Sequence, residues 1–263
     1  MKKLIFAGVA GIMFGSLAVC AAEFSTYQEA EKAGKAAFKA KNYPVMRESF
    51  AQAKKLAKQD GTKWDALYQE VRACREMKQW DDAIKLLDEY LAGKVQDKYK
   101  GAAIFVKGLV YKSKGEMAKG TALLEDSLSY SGLMNYMKNQ AAAEVLNYYY
   151  RQKKYDECIS RAEKIIADGK AGKAVIESAR FYIIQSKYDQ KKFEECEKLL
   201  KEYTQLVESD SVKSRMAYVQ ALLHRDRKEV REAIKYFELT IKYEPNSWRV
   251  PSAKKYIETH KGK

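Results

Sequence analysis

Hydrophobic positions recur along the chain with the spacing of an α-helix, and short polar turns interrupt them. Ala83, Ile84 and Leu87 share one apolar stripe, and a second stripe covers residues 233–241. Residues three and four apart lie on one face of a helix, which buries that face against a neighbour. No segment shows the sustained apolar–polar alternation of a strand. The pattern predicts an all-α protein.

One turn recurs six times, as two polar or glycine residues followed by an apolar residue that opens a new helix. The six copies are Lys41-Asn42-Tyr43, Lys78-Gln79-Trp80, Gly115-Glu116-Met117, Lys153-Lys154-Tyr155, Lys191-Lys192-Phe193 and Lys228-Glu229-Val230. Their spacing is 37 or 38 residues throughout, the period of a helix-pair repeat. Six repeats are predicted, at roughly 24–60, 61–97, 98–131, 132–171, 172–209 and 210–246.

The two ends of the repeat array have their own signals. Ser25, followed three residues later by Gln28, predicts a capping box that opens the first helix. After Pro251 a final amphipathic helix is expected, within residues 247–260, whose polar outer face caps the array.

The N-terminus has the pattern of a secretory signal peptide over residues 1–22. Lys2 and Lys3 precede an uncharged stretch over residues 4–19, and small residues follow at Cys20-Ala21-Ala22. Cleavage after Ala22 leaves one solenoid domain, residues 23–263, which we expect in a bacterial periplasm. Lipidation of Cys20 is the alternative, because Leu17-Ala18-Val19-Cys20 is similar to a lipobox; it implies peripheral or lipid-anchored membrane association. The apolar stretch falls short of the ~20 residues that a spanning helix needs.

Composition limits the chemistry. Four cysteines and two histidines are too few for a disulfide scaffold or a multi-histidine metal site. No phosphate-binding, metal-binding or catalytic motif is recognisable, so we expect neither a cofactor nor an enzyme. Cys158 and Cys196 occupy the same repeat position and are expected as small buried packing residues. The net charge of +14 favours an acidic partner, and no nucleic-acid motif is present.

The repeats resemble the tetratricopeptide repeat (TPR) family. Gly108-x-x-Tyr111 matches the first helix of that pattern, and Ala233-x-x-x-Phe237 with Pro245 matches the second. The ending Tyr243-Glu244-Pro245-Asn246-Ser247 is similar to repeats of exported bacterial envelope lipoproteins. The resemblance implies a right-handed α-solenoid that binds a partner segment in a groove lined by the first helices.

Candidate groove residues are the aromatic, cationic and amide side chains that the first helices carry on one face. They are Tyr68, Arg72, Arg75, Phe105, Lys112, Asn147, Tyr150, Arg151, Phe181, Gln185, Tyr188, Tyr218 and Arg225. Arg72, Arg75, Lys112 and Arg151 recur at related repeat positions and predict a cationic strip. Any one of the aromatic residues is as well explained by the core.

Two functions from different classes remain. The first is a non-catalytic protein–protein interaction scaffold of the cell envelope, binding an acidic protein or peptide. The second is an envelope factor that binds the cell wall or another anionic polymer.

Overall fold

The computed structural model describes residues 23–169 and 171–262, and helices joined by short connections make up these ranges. The predicted signal peptide lies outside the described residues. Within them no strand occurs, and the helices in chain order are α1 Tyr27–Lys39, α2 Tyr43–Leu56, α3 Asp60–Glu76, α4 Trp80–Leu91, α5 Asp97–Lys114, α6 Met117–Ser127, α7 Asn135–Arg151, α8 Tyr155–Asp168, α9 Lys173–Asp189, α10 Phe193–Thr204, α11 Asp210–Asp226, α12 Val230–Tyr243 and α13 Val250–His260.

The chain divides into two compact units. The first ends at Met77 and contains α1 to α3; the second begins at Lys78 and contains α4 to α13. In the second unit each helix packs on the next one along the chain, and the first helices α5, α7, α9 and α11 also contact one another in that order. The prediction of an all-α repeat solenoid is confirmed.

All six predicted turns share one backbone feature. Each contains one residue in the left-handed region: φ is 55° to 63° at Lys41, Lys78, Lys153, Lys191 and Lys228, and 98° at Gly115. The next N–H then donates back across the turn, as from Asn42 to Ala37 O and from Glu229 to His224 O, both at 2.9 Å. These are the bonds of a Schellman cap, which satisfies carbonyls at the helix end and reverses the chain.

The capping box of α1 lies one residue later than the sequence predicted. Thr26, and not Ser25, is the N-cap, and Glu29, and not Gln28, is its partner. The Glu29 carboxylate accepts from the N–H groups of Ser25 and Thr26 and from the Ser25 hydroxyl. An ionised carboxylate binds such donors more strongly than an amide does, which explains the shift.

Two glycines allow α5 and α6 to cross closely. A Cβ on Gly120 would lie 2.6 Å from Gly108 O, and one on Gly108 would lie 2.9 Å from Gly120 O. Any side chain at either position would force the helices apart, so this crossing depends on the small residue of the repeat pattern.

Helix α13 covers the apolar end of the last helix pair. Val250 and Ala253 are buried, and Ala253 packs in one cluster with Ala221, Ala233 and Phe237. Lys254 and Lys255 are exposed on the opposite face.

Candidate functional site

The C-terminal ends of α7, α9 and α11 are joined by a repeated bond from a tyrosine to an aspartate. Tyr150 donates its hydroxyl hydrogen to Asp189 on the next first helix, and Tyr188 donates to Asp226 at 2.6 Å. The two tyrosines are 38 residues apart. Burial raises the pKa of both phenols and the bonded carboxylates raise it further, so both remain hydrogen donors at neutral pH. The bonds hold adjacent repeats together at this edge.

The same aspartates engage two more of the predicted groove residues. Gln185 Nε2 lies 3.3 Å from Asp189 Oδ2, and Arg225 Nη2 lies 2.7 Å from Asp226 Oδ1. Arg225 is therefore already compensated by a carboxylate. This network fixes side-chain positions more than it offers charge to a partner.

Other predicted groove residues of the second unit differ in how accessible they are. Lys112 forms an ion pair with Glu144 that leaves its side chain 13% exposed. Asn147 and Arg151 are exposed on α7. Phe105 and Phe181 are 3% and 5% exposed. These two rings belong to the core, because first helices pack on two sides, against their own second helix and against neighbouring first helices.

Three predicted groove residues lie on α3 in the first unit and are half-buried: Tyr68, Arg72 and Arg75. The Arg72 guanidinium lies 4.0 Å from the centre of the Phe38 ring, a cation–π contact. The cationic strip that would combine these residues with Lys112 and Arg151 stays a prediction.

Two arginines that sequence reasoning missed are half-buried and lie near aromatic rings. Arg215 on α11 lies 3.9 Å above the Phe181 ring and 5.9 Å from the Tyr182 ring. Arg249, which precedes α13, lies 4.7 Å from the Trp248 ring and 6.0 Å from the Tyr218 ring. Neither guanidinium forms an ion pair with a carboxylate of the described residues; Arg249 donates only to the Ser247 hydroxyl, at 3.3 Å.

Burial lowers the pKa of both arginines, and the charge of Arg249 lowers the Arg215 pKa further, whereas the Glu244 carboxylate offsets part of the lowering at both. A partly desolvated cation that has no carboxylate in direct contact favours an incoming anion, because the anion restores the charge stabilisation that burial removed. Tyr218 donates to Ser252 at 3.4 Å, and Trp248 is 75% exposed beside the pair. We call Arg215, Arg249, Tyr218 and Trp248 the arginine site.

A signal for the arginine site exists in the sequence. Arg215 and Tyr218 are three residues apart on a first helix and share a face, while Trp248-Arg249 stands just before the capping helix. Their convergence depends on how α13 packs, which periodicity does not reveal.

Two of the thiols are poor nucleophiles. Cys158 and Cys196 are fully buried, and burial raises their pKa to about 11 and about 12. Within residues 23–169 and 171–262, no helix has the length and apolar character needed to cross a membrane.

The helix pairs, the recurrent left-handed turn and the constant period define a TPR-like α-solenoid. No protein-family model and no curated protein matches the chain. Among solved structures it is similar to a TPR repeat protein of Bacteroides fragilis (14% identity, 90% of this chain and 99% of that one, TM-score 0.44). It is also similar to a kinesin light chain of Podospora anserina with nearly identical TPR-like repeats (13%, 75% and 96%, TM-score 0.47). A third is the TPR2AB domain of yeast Sti1, described as a complex with pHSP90 (13%, 89% and 97%, TM-score 0.38). The fold assignment rests on the chain's own turns and helix pairs.

Proposed function

We propose that the protein is a non-catalytic interaction scaffold of the bacterial cell envelope, which binds an acidic segment of a protein partner on its first helices. The observation that carries the proposal is the arginine site: two half-buried guanidiniums that Glu244 attracts at longer range but that form no direct ion pair with a described carboxylate, beside an exposed tryptophan. Aromatic rings beside cations suit a peptide that carries Asp or Glu. The TPR2AB domain of Sti1, which is similar in fold, is described with a bound partner, and this agrees with such a role.

Arg151 and Asn147, which are exposed near the C-terminal end of α7, offer a second, separate contact for a partner on the first helices. We assign a supporting role to four predicted groove residues whose polar groups already bond within the chain: Lys112, Gln185, Tyr188 and Arg225.

Binding of a cell-wall or other anionic polymer is the second candidate. The same two guanidiniums favour it, since they would accept a carboxylate or phosphate from a polymer as well as from a peptide.

The decisive experiment compares two captures from one envelope preparation. The mature protein is used as bait in a pull-down and is also sedimented with purified cell wall. One stoichiometric protein in the pull-down supports the scaffold; wall-dependent sedimentation without such a protein supports the polymer binder.

A charge-removal variant assigns the interaction to the arginine site. Arg215→Met with Arg249→Met keeps the apolar stems over the rings and should weaken capture at least about tenfold, as loss of a desolvated charge pair does. Lys198→Met with Lys242→Met, exposed lysines on second helices, should change capture less than about twofold. Equal capture by both double variants, with unchanged circular dichroism, would remove the arginine site from the proposal.

We further propose export, with a mature chain that begins near Glu23. N-terminal sequencing of protein from fractionated cells tests it: a periplasmic or membrane fraction starting near Glu23 is expected. Retention of Met1 in the cytosol would contradict export.

A further inference from the structure

A cavity of about 420 Å³ lies between α6, α7 and α8, within the second unit, and shares no lining residue with the arginine site. Its apolar surface comes from Leu128, Ala142, Val145 and Ile165. A volume of this size falls in the ordinary range for small-molecule sites, which are apolar clefts with a few polar groups.

The cavity is open because two side chains of the next repeat are larger than their counterparts here. Thirty-eight residues after Ala142 stands Arg180, and thirty-eight after Ile165 stands Tyr203. Arg180 donates from Nη1 to Leu206 O at 3.2 Å and lies 5.7 Å from the Tyr203 ring. The following repeat therefore fills this place with its own guanidinium, methylenes and aromatic ring.

A third difference makes one wall polar. Arg161 stands where the neighbouring repeats have Leu123 and Leu199. Its Nε lies 2.9 Å from Glu125 Oε1, and its guanidinium covers the Tyr149 ring at 3.8 Å. Glu125 compensates the Arg161 charge, so this wall is rigid and nearly neutral.

The rim carries a surplus of positive charge. Lys138 donates to Ser131 O at 3.2 Å, and Lys164 is exposed and forms no ion pair with a described residue. Asp168 is the acidic group at the same rim. With Glu125 compensated by Arg161, the lining has Lys138 and Lys164 against Asp168, which favours a ligand with a negative end.

We propose that this cavity binds a small aromatic carboxylate, with the flat ring on Ala142, Val145 and Ile165 and the carboxylate at Lys138 and Lys164. The ring takes the place that Tyr203 fills in the next repeat. This proposal does not depend on the function assigned to the arginine site.

The test uses indole-3-acetate as the probe and tryptamine as its cationic match, titrated into ¹⁵N-labelled mature protein. Saturable amide shifts confined to α6, α7 and α8 are expected for indole-3-acetate, with a Kd on the order of 1 mM for a ligand of this size. Tryptamine should bind at least about threefold more weakly, because its charge has the wrong sign for half-buried Lys138 and exposed Lys164.

Two variants separate the cavity from the surface. Ala142→Arg copies the filling side chain of the next repeat and should reduce affinity at least about tenfold. Ala143→Arg places the same charge on an exposed neighbouring position and should leave binding unchanged. Lys164→Gln, an exposed change that does not endanger folding, should cost about threefold.

Any one of three results would overturn the proposal. Indole-3-acetate and tryptamine could bind equally well, or indole-3-acetate could bind the wild type and Ala142→Arg equally well. The third is the absence of a saturable shift at about 10 mM probe.

Discussion

Burial controls the chemistry of Cys158 and Cys196. Each thiol points at a carbonyl of the preceding first helix, Leu146 O at 3.5 Å and Ile184 O at 3.7 Å. The neutral form is favoured in the folded state, where their pKa is raised from 9.0 to about 11 and about 12. Below pH 9 this preference adds to stability, and the contribution is lost as pH rises from 9 through the folded pKa values, because the unfolded thiols ionise first.

We predict that stability falls from pH 9 upward and that Cys158→Ala with Cys196→Ala makes this fall less steep. Urea unfolding at closely spaced pH values gives the free energy of unfolding of the variant and of the wild type. The difference between the two isolates the thiols, because both proteins share all Lys and Tyr ionisation. Ser160→Ala, an exposed change on the helix of Cys158, should reproduce the wild-type profile. Parallel profiles for the cysteine variant and the wild type would contradict the prediction.

The lysine turns store backbone strain. A left-handed conformation costs an L-residue about 1–2 kcal/mol, and Lys153 has it at φ 57°. Lys153→Gly should therefore raise the free energy of unfolding by up to about 1 kcal/mol. The gain is smaller than the relieved strain, because glycine has more conformational entropy than lysine in the unfolded state.

The matched control is Lys154→Gly. Lys154 has φ −85°, so glycine relieves nothing there and should destabilise by about 0.5–1 kcal/mol. Urea denaturation of both variants gives the comparison. A loss of stability in Lys153→Gly as large as that in Lys154→Gly would show that the turn is unstrained.

At the scale of elements, the turns were predictable and the faces of the first helices were not. A polar turn followed by an apolar residue has a local cause, the Schellman cap, and it therefore shows in the sequence. Helix α5 buries residues on several sides, among them Ala103, Phe105 and Val110. When a helix is apolar nearly all round, periodicity cannot tell a core ring from a groove ring.

The arginine site was missed for a related reason. Whether Arg215 is solvated or desolvated depends on Phe181 from the preceding repeat and Arg249 from the end cap. Those contacts join residues more than thirty positions apart, beyond the range of any pattern within one helix.

Helix α13 should carry stability out of proportion to its length. A chain that ends at Pro245 exposes Phe237, Ala233 and Ala221, and apolar surface costs about 25 cal/mol per Å² when returned to water. We expect a melting temperature lower by at least about 5 °C and reduced solubility, measured by calorimetry and by sedimentation. Removal of residues 261–263 is the control and should leave the melting temperature unchanged. Equal melting temperatures for the two truncations would contradict the assignment of α13 as a cap.

At the scale of the whole molecule, charge acts on a partner in two separable ways. After the proposed cleavage the chain keeps 47 Lys and Arg against 35 Asp and Glu, a net charge of +12. That surplus is spread over solvated faces, where it steers an acidic partner during approach and is screened by salt. The arginine site acts after contact, at short range and low dielectric.

Association and dissociation rates should therefore respond to different residues. With the captured partner immobilised, raising the salt concentration should slow association, whereas dissociation should change little. Exposed lysine changes such as Lys198→Glu with Lys242→Glu should lower the association rate, and Arg215→Met with Arg249→Met should mainly raise the dissociation rate. Surface plasmon resonance across a salt series measures both rates. If the arginine variant altered only association, its guanidiniums would belong to the general field of the molecule, and the anchor for an acidic group would have to lie elsewhere on the first helices.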